Sequence, residues 1–170
     1  YRVLPNAEEG IVLVEDGISK PIHLALNNFS TPINGIAFDE SGELMVTSDV
    51  QGRIVLWDFA TSLDEGRSAI LTEWEAPDST IFWEGIAVRG DSVWIVLGSD
   101  ARNTTVSVWR YQDGDVTLVS RPSEHTNQIN GVAINHAGTQ IATGSSDASI
   151  QISNIETGQL ELELTGSRTG

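Results

Sequence analysis

Short runs in which apolar and polar residues alternate recur along almost the whole chain. Alternation with a period of two is typical of strands that bury one face and expose the other. The most regular set predicts four strands, at residues 34–39, 43–48, 53–58 and 68–74. Polar, turn-forming segments separate them at residues 39–42, 50–52 and 64–66. Because these gaps are short, the set predicts a four-stranded antiparallel meander.

The same alternation occurs twice more towards the end of the chain. A second set predicts strands at residues 84–89, 92–98, 105–110 and 115–121. A third set predicts strands at residues 130–135, 139–144, 149–154 and 159–165. No segment of about a dozen residues has the spacing of an amphipathic helix. The pattern therefore predicts an all-β protein.

Two landmarks indicate that these sets repeat one structural unit. Third strands end at equivalent positions 43, 52 and 44 residues apart, namely Val14, Trp57, Trp109 and Ser153. First strands share a glycine at positions 50 and 46 residues apart, namely Gly35, Gly85 and Gly131. Because the two landmarks keep one period independently, we interpret the chain as an array of four-stranded units.

The first unit is expected to be incomplete. Moving the first complete unit back by 43 residues places residues 2–5 and 10–14 on its second and third strands, and another strand follows near residues 21–26. We therefore expect the chain to begin inside a unit and to be part of a larger assembly. The expected boundaries are 1–28 for the incomplete unit, followed by units at 29–76, 77–122 and 123–170.

The repeats resemble those of the WD40 family, in which each unit forms one blade of a β-propeller. Residues 125–134 and 141–147 resemble the opening of a WD40 repeat, and Trp57-Asp58 supplies its closing dipeptide. The resemblance implies a propeller segment of four-stranded antiparallel blades, about 3.75 of them, from a seven- or eight-bladed ring. Since so few blades cannot close a ring, the remaining blades are expected from the same or another chain.

The resemblance also implies a buried hydrogen-bonded set in each blade. In the family, a His precedes the inner strand, a Ser or Thr lies on the second strand, an Asp in the following turn and a Trp on the third strand. The last unit has His125, Thr143 or Ser145, and Asp147, with Ser153 in place of Trp. Trp57 and Trp109 occupy the tryptophan position of the other two units. Their His and Asp positions hold Phe29 and Gln51 in one unit, and Ser79 and Asn103 in the other.

Blade geometry in the family implies a binding rim at one mouth of the central channel. The loops before the inner strands and the turns after the second strands form that rim. Carried over by position, the rim residues are Pro32, Asn34, Val50, Phe82, Glu84, Arg102, Gln128, Asn130 and Ser146. Phe82 has two interpretations, a contact for a partner or packing beside Trp83. The middle unit is the longest, through residues 78–82 and 100–105, and long insertions often carry function.

Charge limits the kinds of partner. Acidic residues outnumber basic residues by 24 to 9, which gives a formal net charge of −15. This charge disfavours direct binding to nucleic acid or to anionic membranes and favours a basic protein or peptide. The chain has no cysteine and no apolar run long enough to span a bilayer. These features fit an intracellular protein, cytoplasmic or nuclear.

The sequence predicts no catalytic residue, no metal site and no cofactor. Motifs for nucleophilic serine, dinucleotide, phosphate-loop or zinc-protease chemistry are absent from it. Residues 47–52 resemble the Asp box of sialidase propellers, but the glycine comes one position late. We therefore expect a non-catalytic scaffold that presents an acidic and polar rim to a peptide or a neighbouring subunit in a multiprotein complex. The alternative is a sensor or regulatory propeller in a larger protein with a fused catalytic domain.

Overall fold

The structure is a computed structural model, and it describes residues 2–6, 10–14, 22–24, 31–65, 69–76, 81–99, 104–122 and 124–166. Side chains are described within residues 31–62, 69–76, 85–98, 104–122 and 124–166. Among the described residues, no helix is both long enough and apolar enough to cross a membrane.

The described strands form four antiparallel sheets whose strands follow chain order. Sheet I contains β1 (Arg2–Asn6), β2 (Gly10–Val14) and β3 (Ile22–Leu24). Sheet II contains β4 (Ile33–Phe38), β5 (Leu44–Asp49), β6 (Arg53–Asp58) and β7 (Ile70–Glu75). Sheet III contains β8 (Ile81–Arg89), β9 (Ser92–Ser99), β10 (Val106–Gln112) and β11 (Asp115–Ser120). Sheet IV contains β12 (Ile129–Ile134), β13 (Gln140–Ser145), β14 (Ser149–Asn154) and β15 (Leu160–Thr165).

This architecture confirms the predicted all-β class and the four-stranded antiparallel repeat. The repeat extends to the irregularities of the backbone. In sheets II, III and IV the pairing of the third and fourth strands shifts register just before Trp57, Trp109 and Ser153, respectively. Because the same β-bulge recurs at the same position, these three residues are structurally equivalent.

The sheets pack face to face through two apolar cores. The core between sheets II and III includes Val46, Ile54 and Leu56 from one side and Ile95 and Leu97 from the other. The core between sheets III and IV is built from Trp94, Val96, Val106, Val108, Ile129, Ile141 and Ile155. Each fully buried aliphatic side chain contributes about 1.5–3 kcal/mol. The first strands β4, β8 and β12 lie side by side, as expected for part of a β-propeller.

One predicted turn is wrong. Residues 64–66 were expected to form the turn between the third and fourth strands of sheet II, but α1 (Phe59–Glu65) occupies most of this connection. Asp58 starts the helix, since its Oδ1 accepts the Thr61 N–H and its Oδ2 accepts the Thr61 hydroxyl, both at 2.8 Å. Phe59 is buried against Phe38 in an edge-to-face contact, with ring centroids 4.9 Å apart. An N-cap and one buried aromatic are enough to convert the connection into a short helix.

The connections of sheets II to IV lie at two ends of the strands. The rim end holds the residues before β4 and β12 and the turns β5–β6 and β13–β14. The hairpin end holds the turns from first to second strand and from third to fourth strand.

Candidate binding rim and its buried supports

The described rim positions of sheets II and IV are joined by equivalent backbone hydrogen bonds. The N–H of Val50 donates to the carbonyl oxygen of Pro32 at 3.2 Å. The N–H of Ser146 donates to the carbonyl oxygen of Gln128 at 2.9 Å. Each bond ties the segment before an inner strand to the turn after the second strand. The structure therefore brings these four positions together in two matching pairs.

The side chains of the rim end are polar and mostly reach solvent. Pro32, Val50, Asn130 and Ser146 are exposed, whereas Asn34 and Gln128 are half-buried. The Asn130 amide Nδ2 donates to the Ser146 hydroxyl at 2.8 Å. This bond fixes two exposed polar groups relative to each other, which lowers the entropy that a partner would lose on binding them.

The positions from the middle unit are placed only in part. Phe82 and Glu84 lie on β8, but their side chains are outside the described part of the structure. Arg102 lies outside the described residues altogether, as do Phe29, Ser79 and Asn103. Their contribution to the rim stays a prediction.

A buried polar network lies directly below the rim of sheet IV. His125 is buried, and its Nδ1 lies 3.0 Å from Asp147 Oδ2 while its Nε2 lies 2.9 Å from Thr143 Oγ1. Of the two predicted partners on the second strand, Thr143 makes this contact; the Ser145 hydroxyl instead donates to the Asn127 carbonyl oxygen at 3.0 Å. The network joins the segment before β12 to β13 and to the turn that follows it.

Asp147 is the charged centre of this network. Burial by itself would raise the pKa of its carboxyl group, but hydrogen bonds from Ser149, Thr126 and His125 outweigh that effect and hold the pKa well below its usual range. The Ser149 hydroxyl donates at 2.6 Å, and the backbone N–H groups of Ser149 and Thr126 donate at 2.9 Å each. The carboxylate thus stays ionised and holds the turn closed.

Sheet II supports its rim with different residues. The Trp57 indole Nε1 donates to the Thr47 hydroxyl oxygen at 2.9 Å, and both side chains are buried. The turn is held by Asp49, whose Oδ1 accepts the N–H groups of Gln51 at 2.9 Å and Arg53 at 3.0 Å. Asp49 Oδ2 accepts the Thr31 hydroxyl at 2.6 Å.

Sequence reasoning missed Asp49 because the repeat alignment placed Gln51 at the aspartate position. The acceptor in sheet II comes two residues earlier, yet it ties the same two segments together as Asp147 does in sheet IV. An Asp at the start of a tight turn commonly accepts a hydrogen bond from the backbone N–H two residues further along the chain. That signal, read locally rather than from the repeat, could have found it.

In sheet III, Trp109 makes only a local hydrogen bond. Its Nε1 donates to the Ser107 hydroxyl on the same strand at 2.9 Å. Its ring lies against Trp74 of sheet II, with centroids 6.0 Å apart and a tilt of 48°. Trp109 therefore packs between sheets II and III.

The network in sheet IV resembles a hydroxyl–imidazole–carboxylate relay in its connectivity. A catalytic relay needs a nucleophile that a substrate can reach. Thr143 is 2 % exposed and His125 is 5 % exposed, so neither can meet a substrate in this structure. Among the described residues, no group of three or more His, Cys, Asp or Glu side chains could hold a metal ion. The arrangement is suited to holding the rim in place.

A comparison with family models gives an independent identification of the repeats. The model described as WD40, "WD domain, G-beta repeat", matches residues 20–58 and 116–153. Both matched segments run through the third strand of a sheet, β6 and β14, and end at or beside its last residue. No curated protein sequence matches the chain.

Proposed function

Because the chain belongs to the WD40-repeat family, whose repeats generally mediate protein–protein interaction, we propose that it is a non-catalytic scaffold that binds a protein or peptide at its rim. The proposed contacts are Asn34, Asn130 and Ser146, the exposed positions Pro32 and Val50, Gln128, and the middle-unit residues Phe82, Glu84 and Arg102.

The main support for this proposal is that the exposed polar groups of the rim lie on a backbone held by two kinds of hydrogen bond, one between backbone groups and one to carboxylates. The Val50–Pro32 and Ser146–Gln128 hydrogen bonds join the rim segments, and the Asp49 and Asp147 carboxylates lock the turns from below. A surface that is ordered before binding loses little conformational entropy when a partner docks.

The charge of the chain supports a basic partner. A net charge of −15 raises the encounter rate with a basic segment and repels nucleic acid and anionic membranes. We extend the proposal to an intracellular location, cytoplasmic or nuclear, in a multiprotein complex. Microscopy of the tagged protein in its own cells tests this location, and export from the cell would contradict it.

Quantitative binding tests the rim. Proteins captured by the full chain are measured against the double variant Asn34→Ala/Asn130→Ala and the matched control Gln159→Ala, an exposed amide at the hairpin end. Loss of interface contacts of this kind weakens binding by about tenfold or more. We expect the rim variant to lose its partner and the control to keep it.

Two results would contradict the placement of the rim. One is equal recovery by the wild-type chain and the double variant, with both shown to be folded by circular dichroism. The other is loss of the partner in Gln159→Ala, which would move the interface to the hairpin end. Recovery that falls with rising salt supports a basic partner.

The outer face of sheet IV supports the further proposal that another sheet, from the same or another chain, packs on it. Ile150 pairs with Leu164, and Ile152 pairs with Leu162, on the face that points away from sheet III. Ile150, Leu162 and Leu164 are 46 %, 49 % and 50 % exposed. Sedimentation velocity should show less association for Ile150→Asp/Leu162→Asp than for the wild type. The control Leu118→Asp, on sheet III, should behave as the wild type; equal association of all three would refute packing by a sheet of another chain.

A further inference from the structure

Sheet III differs from its neighbours in charge at the hairpin end. At the end of the first strand, sheets II and IV carry Asp39 and Asn135, and sheet III carries Arg89. At the position after the third-strand bulge residue, they carry Asp58 and Asn154, and sheet III carries Arg110. Both substitutions replace a hydrogen-bond acceptor by a group that only donates.

The acceptors in sheets II and IV have a clear structural task. Asp39 Oδ1 accepts the N–H of Leu44 at 2.8 Å, and Asn135 Oδ1 accepts the N–H of Gln140 at 3.1 Å. Sheet III closes its hairpins without such acceptors, through two-residue turns at residues 90–91 and 113–114, in which Gly90, Asp113 and Gly114 have positive φ angles of 60°, 53° and 91°. Tight turns of this kind need no side-chain cap. Arg89 and Arg110 are therefore not needed to build the turns.

The two arginines converge on one tryptophan. Arg110 pairs directly with Trp94 across β9 and β10, and Ala87, two residues before Arg89, pairs with Trp94 from β8. All three side chains thus lie on the face of sheet III that points towards sheet IV. The Cζ atoms of Arg89 and Arg110 lie 5.8 Å and 5.9 Å from the centroid of Trp94, whose ring is only 3 % exposed.

The ionic partners of the two guanidinium groups differ. Arg89 Nη2 lies 2.8 Å from Glu156 Oε1 in a pair that is largely exposed on both sides. Arg110 is half-buried, forms no ion pair with any described residue, and has a buried Nε without a hydrogen-bond partner. In a chain with 24 acidic and 9 basic residues, an arginine without a carboxylate is unexpected. A buried donor without an acceptor destabilises the protein unless a ligand or a water molecule accepts its hydrogen bond.

We propose that Arg89, Trp94 and Arg110 form a recognition site for an oxyanion group, a carboxylate or a phosphate, carried by a protein partner. Trp94 holds both guanidinium groups by cation–π contact, so that little side-chain freedom is lost when an anion bridges them. Glu156 occupies Arg89 in the free protein and competes with the incoming group. The site lies at the hairpin end, opposite the rim, so it serves a second contact.

The acidic residues around the site determine the distance at which its arginines can attract an anion. Asp91, Asp113 and Asp115 lie in the hairpins of sheet III at the same end, and the whole chain is strongly negative. The long-range field therefore opposes an approaching anion, and the two arginines must act at contact distance. We expect binding that weakens less with salt than an ordinary arginine–anion contact.

Arginine side-chain NMR tests the site on the full chain. Correlation spectra of the Nε–Hε groups are recorded during titration with potassium phosphate and, separately, potassium acetate, each at constant ionic strength. Arg110 and Arg89 should shift in a saturable manner. Arg53, which pairs with Glu73 on sheet II and lies outside the proposed site, is the internal control and should show no saturable shift.

Variants give the direction of the effect. Affinity read at Arg89 should fall by about tenfold in Arg110→Gln, as expected for one charge-assisted contact. Affinity should rise in Glu156→Gln, because the competing carboxylate is gone, and Arg110→Lys should recover part of the loss. Backbone spectra of each variant establish that it is folded.

Peptide probes identify the source of the oxyanion. One short sequence is prepared with phosphoserine, with Asp and with Ala at its centre. Tighter binding of the phosphoserine peptide assigns the site to a phosphorylated segment, and equal binding of the Asp peptide assigns it to an acidic segment. Equal binding of the Ala peptide, or the absence of a saturable shift at Arg110 with every probe, would overturn the proposal.

Discussion

Sheets II and IV hold the same turn with different chemistry. In sheet II, Trp57 and Thr47 form one hydrogen bond in the strands, and Asp49 closes the turn separately. In sheet IV, His125 joins Thr143 to Asp147, so that strand and turn belong to one connected network. Where sheet II has the indole of Trp57, sheet IV has the small buried side chain of Ser153.

The two sheets have the connection in common and not the residues that form it. Sheets II and IV each tie the segment before the inner strand to the turn after the second strand, and that tie positions the rim. A connected network spreads the consequence of a single change over several buried groups, whereas separate bonds confine it.

The largest effect is expected from His125→Ala. Removing the imidazole opens a cavity and takes one hydrogen-bond partner each from the buried Thr143 hydroxyl and from Asp147, which keeps its bonds to Ser149 and Thr126. A buried polar group that loses its partner costs about 1–3 kcal/mol. We expect a loss of about 3 kcal/mol in the free energy of unfolding, measured by urea denaturation. The control His136→Ala removes an exposed histidine and should change stability by less than about 0.5 kcal/mol. Similar losses in the two variants would show that the network contributes no more to the free energy of unfolding than an exposed histidine does.

Asp147→Asn should have the next largest effect and should alter the response to acid. The variant loses the charge on several short hydrogen bonds, each worth about 1.5–3 kcal/mol, so we expect a loss of about 2 kcal/mol at neutral pH. Because the folded-state pKa of Asp147 lies below its unfolded value, its contribution is present above the unfolded pKa and is lost as pH falls towards the folded pKa. The wild type should therefore lose more stability than Asp147→Asn in urea titrations as pH is lowered below about 4. Parallel curves would contradict this role.

The Trp57–Thr47 bond should be worth less, since only two groups depend on it. A double-mutant cycle with Trp57→Phe and Thr47→Val should give a coupling of about 1 kcal/mol. Trp94→Phe is the matched control, because the Trp94 Nε1 is buried without a partner among the described residues. A coupling near zero would mean that Trp57 acts through packing alone.

The smallest effect is expected at equivalent turn positions, Gly52 in sheet II and Ala148 in sheet IV. Both have positive φ angles, 86° and 69°, which cost a residue with a Cβ about 1 kcal/mol. Ala148→Gly should raise the unfolding midpoint slightly, and Gly52→Ala should lower it by a similar amount. Calorimetry measures both shifts, and a fall in the midpoint of Ala148→Gly would show that no strain is present.

Much of the fold could be predicted from alternation and turn residues. The predicted strand 53–58 coincides with β6, and 149–154 coincides with β14. Tight turns bound these strands and allow only one register of pairing with the neighbouring strands. The helix α1 was missed because it depends on an N-cap at Asp58 and on burial of Phe59, which are tertiary features of a short segment.

The buried supports were harder to predict. His125 and Asp147 follow from the repeat, and the structure places them in contact. Asp49 does not, because a carboxylate displaced by two residues along the turn can still accept the N–H of the first residue of the third strand, Arg53 in sheet II and Ser149 in sheet IV. The arginines of sheet III were missed for a related reason. Their role becomes visible only when they are compared with the acceptor side chains at the equivalent positions of sheets II and IV.

Hydrogen exchange of the complex tests whether the rim end binds the partner. Amide exchange is compared between the full chain alone and the chain bound to its captured partner. We expect slower exchange in residues 31–34, 49–52 and 145–149 of the complex. Slower exchange confined to the hairpin-end turns, residues 39–43 and 135–139, with the rim unchanged, would contradict it.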